Sequence, residues 1–282
     1  MSSQRLVSAV FVLKYAKRFR SDGTYLGRAA HKITLGLLQQ VSIELATELH
    51  NLNDRMPLTV SDLFQSNDEF HWMRVTGLRE DVVNALHELT QLDNLNFDGW
   101  RVHYALIHMH DWSGETTIAN LIEDSWHDSR NIKIEFQTPA VFKSKGLYRP
   151  LPLPDLTFKS LFSSWESLVE ADENTVLPYT PTRQVLETFL NYAVSVRYYN
   201  VRAQHVQMKH NPIQAFSGNV HYNVEKPTRA LQRAAQRNEP HTADVMTHYA
   251  DLTCWLNLLT DFGFYSGVGA KTAQGLGMMR RM

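Results

Sequence analysis

The residues best suited to chemistry lie near opposite ends of the 282-residue chain. Towards the C-terminus, Gly267-Val268-Gly269-Ala270-Lys271-Thr272-Ala273-Gln274-Gly275-Leu276-Gly277 holds two Gly-x-Gly pairs with five residues between them. Glycines this dense mark backbone at positive φ or in close approach to another group. Consecutive N–H groups in such a loop form a concave anion site, and Lys271 adds a full positive charge. Phosphate is the natural ligand. Gly267, Gly269, Lys271, Thr272, Gly275 and Gly277 are therefore candidate phosphate contacts. Towards the N-terminus, His31 lies one helical turn from Arg28 and directly before Lys32. An imidazole that titrates near neutrality between two fixed positive charges suits phosphate chemistry. A half-buried helix histidine has the same local sequence, so the residue alone leaves both readings open.

Other motif readings fail on spacing. A dinucleotide fingerprint needs Gly-x-Gly-x-x-Gly between a strand and a helix, and a P-loop needs Gly-Lys-Ser/Thr before a helix. Here the order is Gly269-Ala270-Lys271-Thr272, and only five residues follow Gly277. His103, His108, His110 and Asp111 cluster around one expected strand, but a fourth ligand at metal-binding spacing is missing and no cysteine is near. No metal ion or other cofactor is expected. A phosphoesterase with two His-x-Ser/Thr motifs is set aside, since only His127-Asp128-Ser129 fits. Arg229, Arg233 and Arg237 share one face of an expected helix. They read first as a solvated face. A phosphate-tracking stripe, with Arg229 and Arg233 touching RNA, is the second reading.

Composition bounds the class. The length suggests roughly two domains of about 140 residues. Hydrophobic content of 43% and charged content of 20% are ordinary for a globular protein. The net charge of −1 means that any nucleic-acid site must be a local basic patch on a neutral body. The single cysteine, Cys254, excludes an internal disulfide and suits a reducing cytoplasm. No apolar run approaches the roughly 20 residues of a spanning helix, so no membrane partner is expected.

The elements that must position these residues can be read in outline. Leu6–Leu13 is a buried strand ending at the basic residues Lys14, Lys17, Arg18 and Arg20. Ser21-Asp22-Gly23 is a turn. Leu26–Leu49 has helical apolar spacing, with Ser42 placed to cap a second, offset helix. Pro57–Phe64 and Phe70–Thr76 read as strands, Glu80–Leu92 as a helix and Val102–His110 as a strand. This order is ferredoxin-like, the arrangement shared with RNA-recognition modules. Trp112-Ser113-Gly114 marks the expected boundary between domains at 1–112 and 113–282. Beyond it, Ile132–Phe136 reads as a strand, Val185–Arg197 as a strand with a long apolar face, Gln214–Tyr222 as a strand and Pro227–Asn238 as a helix. Val245–Phe262 reads as an amphipathic helix leading into the glycine loop.

The C-terminal loop resembles the glycine-rich signature of the CRISPR-associated endoribonucleases that cut CRISPR repeat RNA, the Cas6 family of the RAMP superfamily. Shorter pieces resemble the same family in the same order. They are Leu26-Gly27-Arg28-Ala29-Ala30-His31, Glu44-Leu45-Ala46 with Leu49-His50, and Pro57-Leu58-Thr59-Val60-Ser61. In the second half they are Phe136-Gln137-Thr138-Pro139-Ala140-Val141-Phe142, Leu151-Pro152-Leu153-Pro154, Phe158 with Leu161-Phe162 and Trp165, and Gln214 to Tyr222. Residues 166–183 match no known piece.

The resemblance implies an α+β chain of two tandem ferredoxin-like (RRM-like) domains. It implies RNA cleavage without a metal: the ribose 2′-hydroxyl attacks the adjacent phosphorus, leaving 2′,3′-cyclic phosphate and 5′-hydroxyl ends. His31 matches the family's usual catalytic histidine. Tyr25 is a second candidate, for orienting the 2′-hydroxyl, and Lys271 a third, for stabilising charge on phosphorus. Arg28 and Lys32 would hold RNA. His50 is a rival to His31. On an unbroken helix the two would lie about 28 Å apart, at 1.5 Å per residue, and only a break near Ser42 brings them together. The expected partner is CRISPR repeat RNA. Other effector-complex subunits, and a second copy of the chain in a homodimer, are further candidate partners. The competing function is a repeat-binding scaffold that does not cut.

Overall fold

The fold is that of a computed structural model. It describes residues 3–16, 25–52, 55–170, 177–208 and 211–282. The expected turn at Ser21-Asp22-Gly23, and Lys17, Arg18 and Arg20 before it, lie outside the described residues.

The first half contains β1 (Arg5–Tyr15), α1 (Gly27–Leu38), α2 (Ile43–Asn51), β2 (Leu58–Val60), β3 (Phe64–Gln65), β4 (Phe70–Gly77), α3 (Glu80–Gln91), β5 (Asn96–Phe97), β6 (Trp100–Leu106) and β7 (Gly114–Thr117). The second contains α4 (Ile118–Ser125), β8 (Asn131–Ala140), β9 (Phe142–Ser144), β10 (Leu147–Arg149), α5 (Pro154–Leu168), α6 (Arg183–Ala193), β11 (Val194–Gln207), β12 (Pro212–Val224), α7 (Arg229–Gln236), α8 (Thr242–Thr247), α9 (Tyr249–Ser266) and β13 (Met279–Arg281). The first sheet runs β2-β4-β1-β6-β5, with β3 on β4 and β7 on β1; the second runs β11-β12-β8-β13. Counting only the four principal strands of each sheet, both have the order 2-3-1-4. The chain is thus a pair of tandem ferredoxin-like folds, as the family resemblance implied.

The long apolar run of β1 has a simple cause: both faces of the strand are covered. Val7, Ala9, Phe11 and Leu13 pack into the first core with α1 and α3. Leu6 faces the second core, and Val10 packs with Trp112 and Met278. Ser8 Oγ donates to the Trp112 carbonyl at 2.6 Å. Further along the same face, Thr76 Oγ1 donates to the Tyr265 carbonyl at 2.7 Å. The Thr76 bond fixes the end of α9, and with it the start of the glycine loop, against the first sheet.

Four expectations need correction. Pro57–Phe64 is not one strand, since β2 ends at Val60 and β3 begins at Phe64. Val185–Arg197 is not one strand. Val185, Leu186, Phe189, Leu190 and Ala193 are buried at helical spacing, Thr182 caps the start through the Val185 N–H, and α6 forms; the strand begins only at Val194. The helix read at Val245–Phe262 is α8 followed by α9, and α9 is not amphipathic. It is buried on nearly every side, with Trp255 at 0% exposure edge-on to Trp126, Phe162 and Trp165. Such a helix is enclosed rather than surface-bound. Finally, β6 ends at Leu106, so His108 and His110 lie in the turn beyond it.

Candidate active site

The break between α1 and α2 decides the geometry. Ser42 N–H returns to the Leu38 carbonyl at 2.8 Å, closing α1, and Ser42 Oγ accepts from the Leu45 N–H at 3.1 Å, opening α2. The chain reverses there, and His50 in the last turn of α2 comes back towards His31 in the first turns of α1. Both imidazoles line one cleft of about 620 Å³, together with Arg28, Lys32 and Lys271. Both also line the adjoining cleft of about 520 Å³, whose other wall is the loop from Gly269 to Gln274. The two histidines, which a straight helix would have separated, share a site with the loop lysine.

The loop is held by its own backbone and by the second sheet. The Gly277 N–H donates to the Pro139 carbonyl at 2.8 Å, Val268 to Gly277 at 2.9 Å, and Ala270 to Val141 at 2.8 Å. The Gly269 N–H donates to Ser160 Oγ at 2.8 Å. Much of the loop's backbone is buried, and there it spends its donors internally. Within the loop from Gly267 to Gly277, Lys271–Ala273, opening a single 3-10 turn, is the stretch of consecutive N–H groups for which no acceptor is found among the described residues. Gly267, Gly275 and Gly277 are buried against protein and shape the loop. Gly269 and Thr272 do reach the cleft wall.

Gly275 shows why the loop needs glycine. Its φ is +94°, and a Cβ there would lie 2.5 Å from Gly27 Cα. A Cβ on Gly27 would in turn lie 2.4 Å from the Gln274 carbonyl oxygen. The C-terminal loop and the start of α1 are thus in backbone contact, which sets the position of His31 relative to Lys271. Tyr25 belongs to this contact. Its hydroxyl donates to the Gln274 carbonyl, and burial raises its pKa. It lines neither cleft. In this structure Tyr25 acts as a clamp on the loop. Asp62 completes the clamp by accepting from the Leu26 N–H at 2.7 Å and the Leu63 N–H at 2.9 Å.

Charge in the clefts is positive and largely uncompensated. Among the described residues, Arg28 and Lys271 have no carboxylate partner, whereas Lys32 pairs with Asp98 at 2.7 Å. Burial lowers the pKa of His31; the Ala273 backbone beside the ring opposes this, and the charge of His50 adds to it. Its Nδ1 is buried with no hydrogen-bond partner among the described residues, and the polar group beside the ring is the Ala273 backbone rather than a carboxylate. Arg229 and Arg233 are exposed on α7 and line neither cleft, nor does Arg237, which pairs with Glu239 at 3.0 Å.

Sequence reasoning missed Arg55 and Tyr148. Arg55 lines the second cleft and a third one beyond the loop, donates to Ser164 Oγ and has its pKa lowered by burial. Tyr148 lines the first cleft from β10. Neither sits in a motif, so no local signal marks them.

A family model of the CRISPR-associated endoribonuclease Cas6 matches residues 134–279, more than half of the chain. The chain belongs to the Cas6 family. The matched stretch runs from β8 to β13 and includes the whole glycine loop, while His31 and His50 lie outside it. A curated Cas6 endoribonuclease of Streptococcus thermophilus is 28% identical over 159 residues, covering 55% of this chain and 52% of that protein. The alignment thus spans about half the length of that relative. A Cas6 product complex superimposes with a TM-score of 0.73 at 25% identity, covering 99% of both chains. A Cas6 substrate mimic complex gives 0.70 at 25% identity, covering 99% of this chain and 100% of that one. Thermus thermophilus Cas6 gives 0.75 at 23% identity over the full length of both, a likeness of fold.

Proposed function

We propose that this chain is an endoribonuclease that cuts CRISPR repeat RNA by attack of a ribose 2′-hydroxyl on its own 3′-phosphorus. The observation that carries the proposal is the convergence of His31, His50 and Lys271 on one cleft. The reaction needs a base, an acid and a positive group at phosphorus. His31 is the base: burial disfavours its charged form and keeps the imidazole neutral at pH 7. It takes the 2′-proton as O2′ bonds to phosphorus. The P–O5′ bond breaks, and His50 protonates the leaving 5′-oxygen. Lys271, with the N–H groups of Lys271–Ala273, holds the charge that builds on the non-bridging oxygens. The products are a 2′,3′-cyclic phosphate and a 5′-hydroxyl. Acid, base and charge stabiliser all come from the chain, so the mechanism requires no metal ion.

Family membership supports the reading, as do the similar Cas6 structures whose names record a product complex and a substrate mimic complex. Arg28 and Lys32 at the rim would meet neighbouring phosphates. The reading carries with it a cytoplasmic location, which a single buried free thiol suits. Among the described residues no helix is long and apolar enough to cross a membrane. The test is cleavage of repeat RNA in EDTA, repeated with one 2′-deoxy nucleotide at the cut site. Cleavage that ignores EDTA and stops with the deoxy substitution is expected. Tight binding without cleavage would instead make the chain a scaffold.

A further inference from the structure

The main cleft has two unlike walls. One is cationic, from Arg28 to Lys271. The other is apolar, with Met208, Ile213 and Tyr148 from the second half of the chain. Met208 and Ile213 are each only 7% exposed, and they pack with Leu276 of the glycine loop in one small cluster, so this wall is tied to the loop. Tyr148 lines the same cleft, 40% exposed, on the hairpin formed by β9 and β10. Among the described residues no ring contact or hydrogen bond holds its side chain. A nucleotide has the same two sides, an anionic phosphate and a flat apolar base.

The reaction geometry calls for such a wall. O2′, phosphorus and O5′ must lie roughly in line, and a nucleotide stacked in a regular RNA helix does not align them. The nucleotide that carries the attacking hydroxyl must leave the stack, and its base then needs a new surface. Unstacked RNA bases are characteristically received on aromatic side chains.

We infer that Tyr148, together with Met208 and Ile213, is a stacking platform for one unpaired base, that of the nucleotide whose 2′-hydroxyl attacks. The inference rests on the endoribonuclease reading and specifies its substrate: repeat RNA in which that nucleotide is unpaired when bound. A phenyl ring serves as well as a phenol, because the contact is through the face of the ring.

The test is a cycle between protein and RNA. Wild type, Tyr148→Ala and Tyr148→Phe are each given repeat RNA that is intact or abasic at that one nucleotide. The readouts are single-turnover efficiency, and affinity for the same RNAs made uncleavable by one 2′-deoxy substitution. Base–aromatic stacking corresponds to roughly 5- to 150-fold. Wild type is expected to lose that factor on abasic RNA. Tyr148→Ala is expected to lose it on intact RNA and almost nothing more on abasic RNA, and Tyr148→Phe to match wild type. The inference is overturned if Tyr148→Ala handles intact RNA normally, if the two losses multiply, or if Tyr148→Phe fails like Tyr148→Ala. Wild-type protein that binds repeat RNA without cutting it would sink the catalytic reading alone, because the affinity cycle still reports on the base. The exposure of Tyr148 makes both variants compatible with folding, which a melting curve checks.

Discussion

Gly275→Ala is the perturbation whose consequence can be worked out furthest. Two costs add. An alanine at φ +94° is in left-handed territory, at about 1–2 kcal/mol. Its Cβ would press on Gly27 Cα at 2.5 Å and on Tyr25 Oη at 2.9 Å, so backbone must move, at about 1–3 kcal/mol. The sum is about 2–5 kcal/mol. With an unfolding entropy of about 2.1 cal/mol/K per residue, the chain loses about 3–8 °C in Tm. Gly27→Ala meets the same contact from the other side, without a positive φ, and costs only the overpacking. Once either variant has pushed α1 and the loop apart, the other finds room. The double variant should therefore fall short of the summed losses by about 0.5–3 kcal/mol. Activity should suffer more than stability. Opening this contact shifts His31 against Lys271, and a misplacement of about 1 Å costs on the order of 10²-fold. The assays are melting curves and single-turnover cleavage of repeat RNA. If Gly275→Ala melts within about 1 °C of wild type and cuts at the wild-type rate, or if the two substitutions add fully, the backbone contact does not position the site.

The remaining expectations concern titratable groups. His31→Ala should slow cleavage by about 10²–10⁴-fold with RNA affinity nearly unchanged, and His50→Ala should do the same; normal single-turnover rates would remove either from the mechanism. Because burial lowers the pKa of His31, its basic form survives below the ordinary value of 6.5. The rate should be lost only as pH falls through that lowered value, and an acidic midpoint at or above 6.5 contradicts the assignment. Asp62 is pushed up to about 6 by burial, so its contribution to stability is complete below the unfolded value of 3.8 and is lost as pH rises through about 6. Asp62→Asn keeps the acceptor oxygen and should raise stability at pH 8 by up to about 3 kcal/mol while changing little at pH 4, as read by urea unfolding. Arg74 is buried against Trp112 and Phe264, its Nε and Nη1 have no hydrogen-bond partner among the described residues, and burial lowers its pKa to about 9. Arg74→Met should be neutral or stabilising by about 1–4 kcal/mol; a large loss in a melting curve would show that the cation–π contacts outweigh desolvation.

Much of the frame was legible because local signals agreed with it. Ser42 announced the break that brings His50 to His31, and the apolar run of Leu6–Leu13 announced a strand covered on both faces. The misreadings have one physical source, the partner surface. The apolar stripe of α6 passes for a strand when its spacing is not separated into helical turns. The enclosure of α9 depends on helices distant in sequence. The loop was recognisable as a loop, but which of its amides are free is decided by Pro139, Val141 and Ser160, more than 100 residues away. Arg55 and Tyr148 join the clefts only through folding, so nothing in their neighbours' identities marks them.

The chemistry of the new ends tests the central claim most directly. Mass spectrometry of the 5′ fragment from repeat RNA cut by wild-type protein should show a 2′,3′-cyclic phosphate at its 3′ end, with a 5′-hydroxyl on the other fragment. A 3′-hydroxyl paired with a 5′-phosphate would mean that water, not the ribose, attacks phosphorus, and would contradict the account.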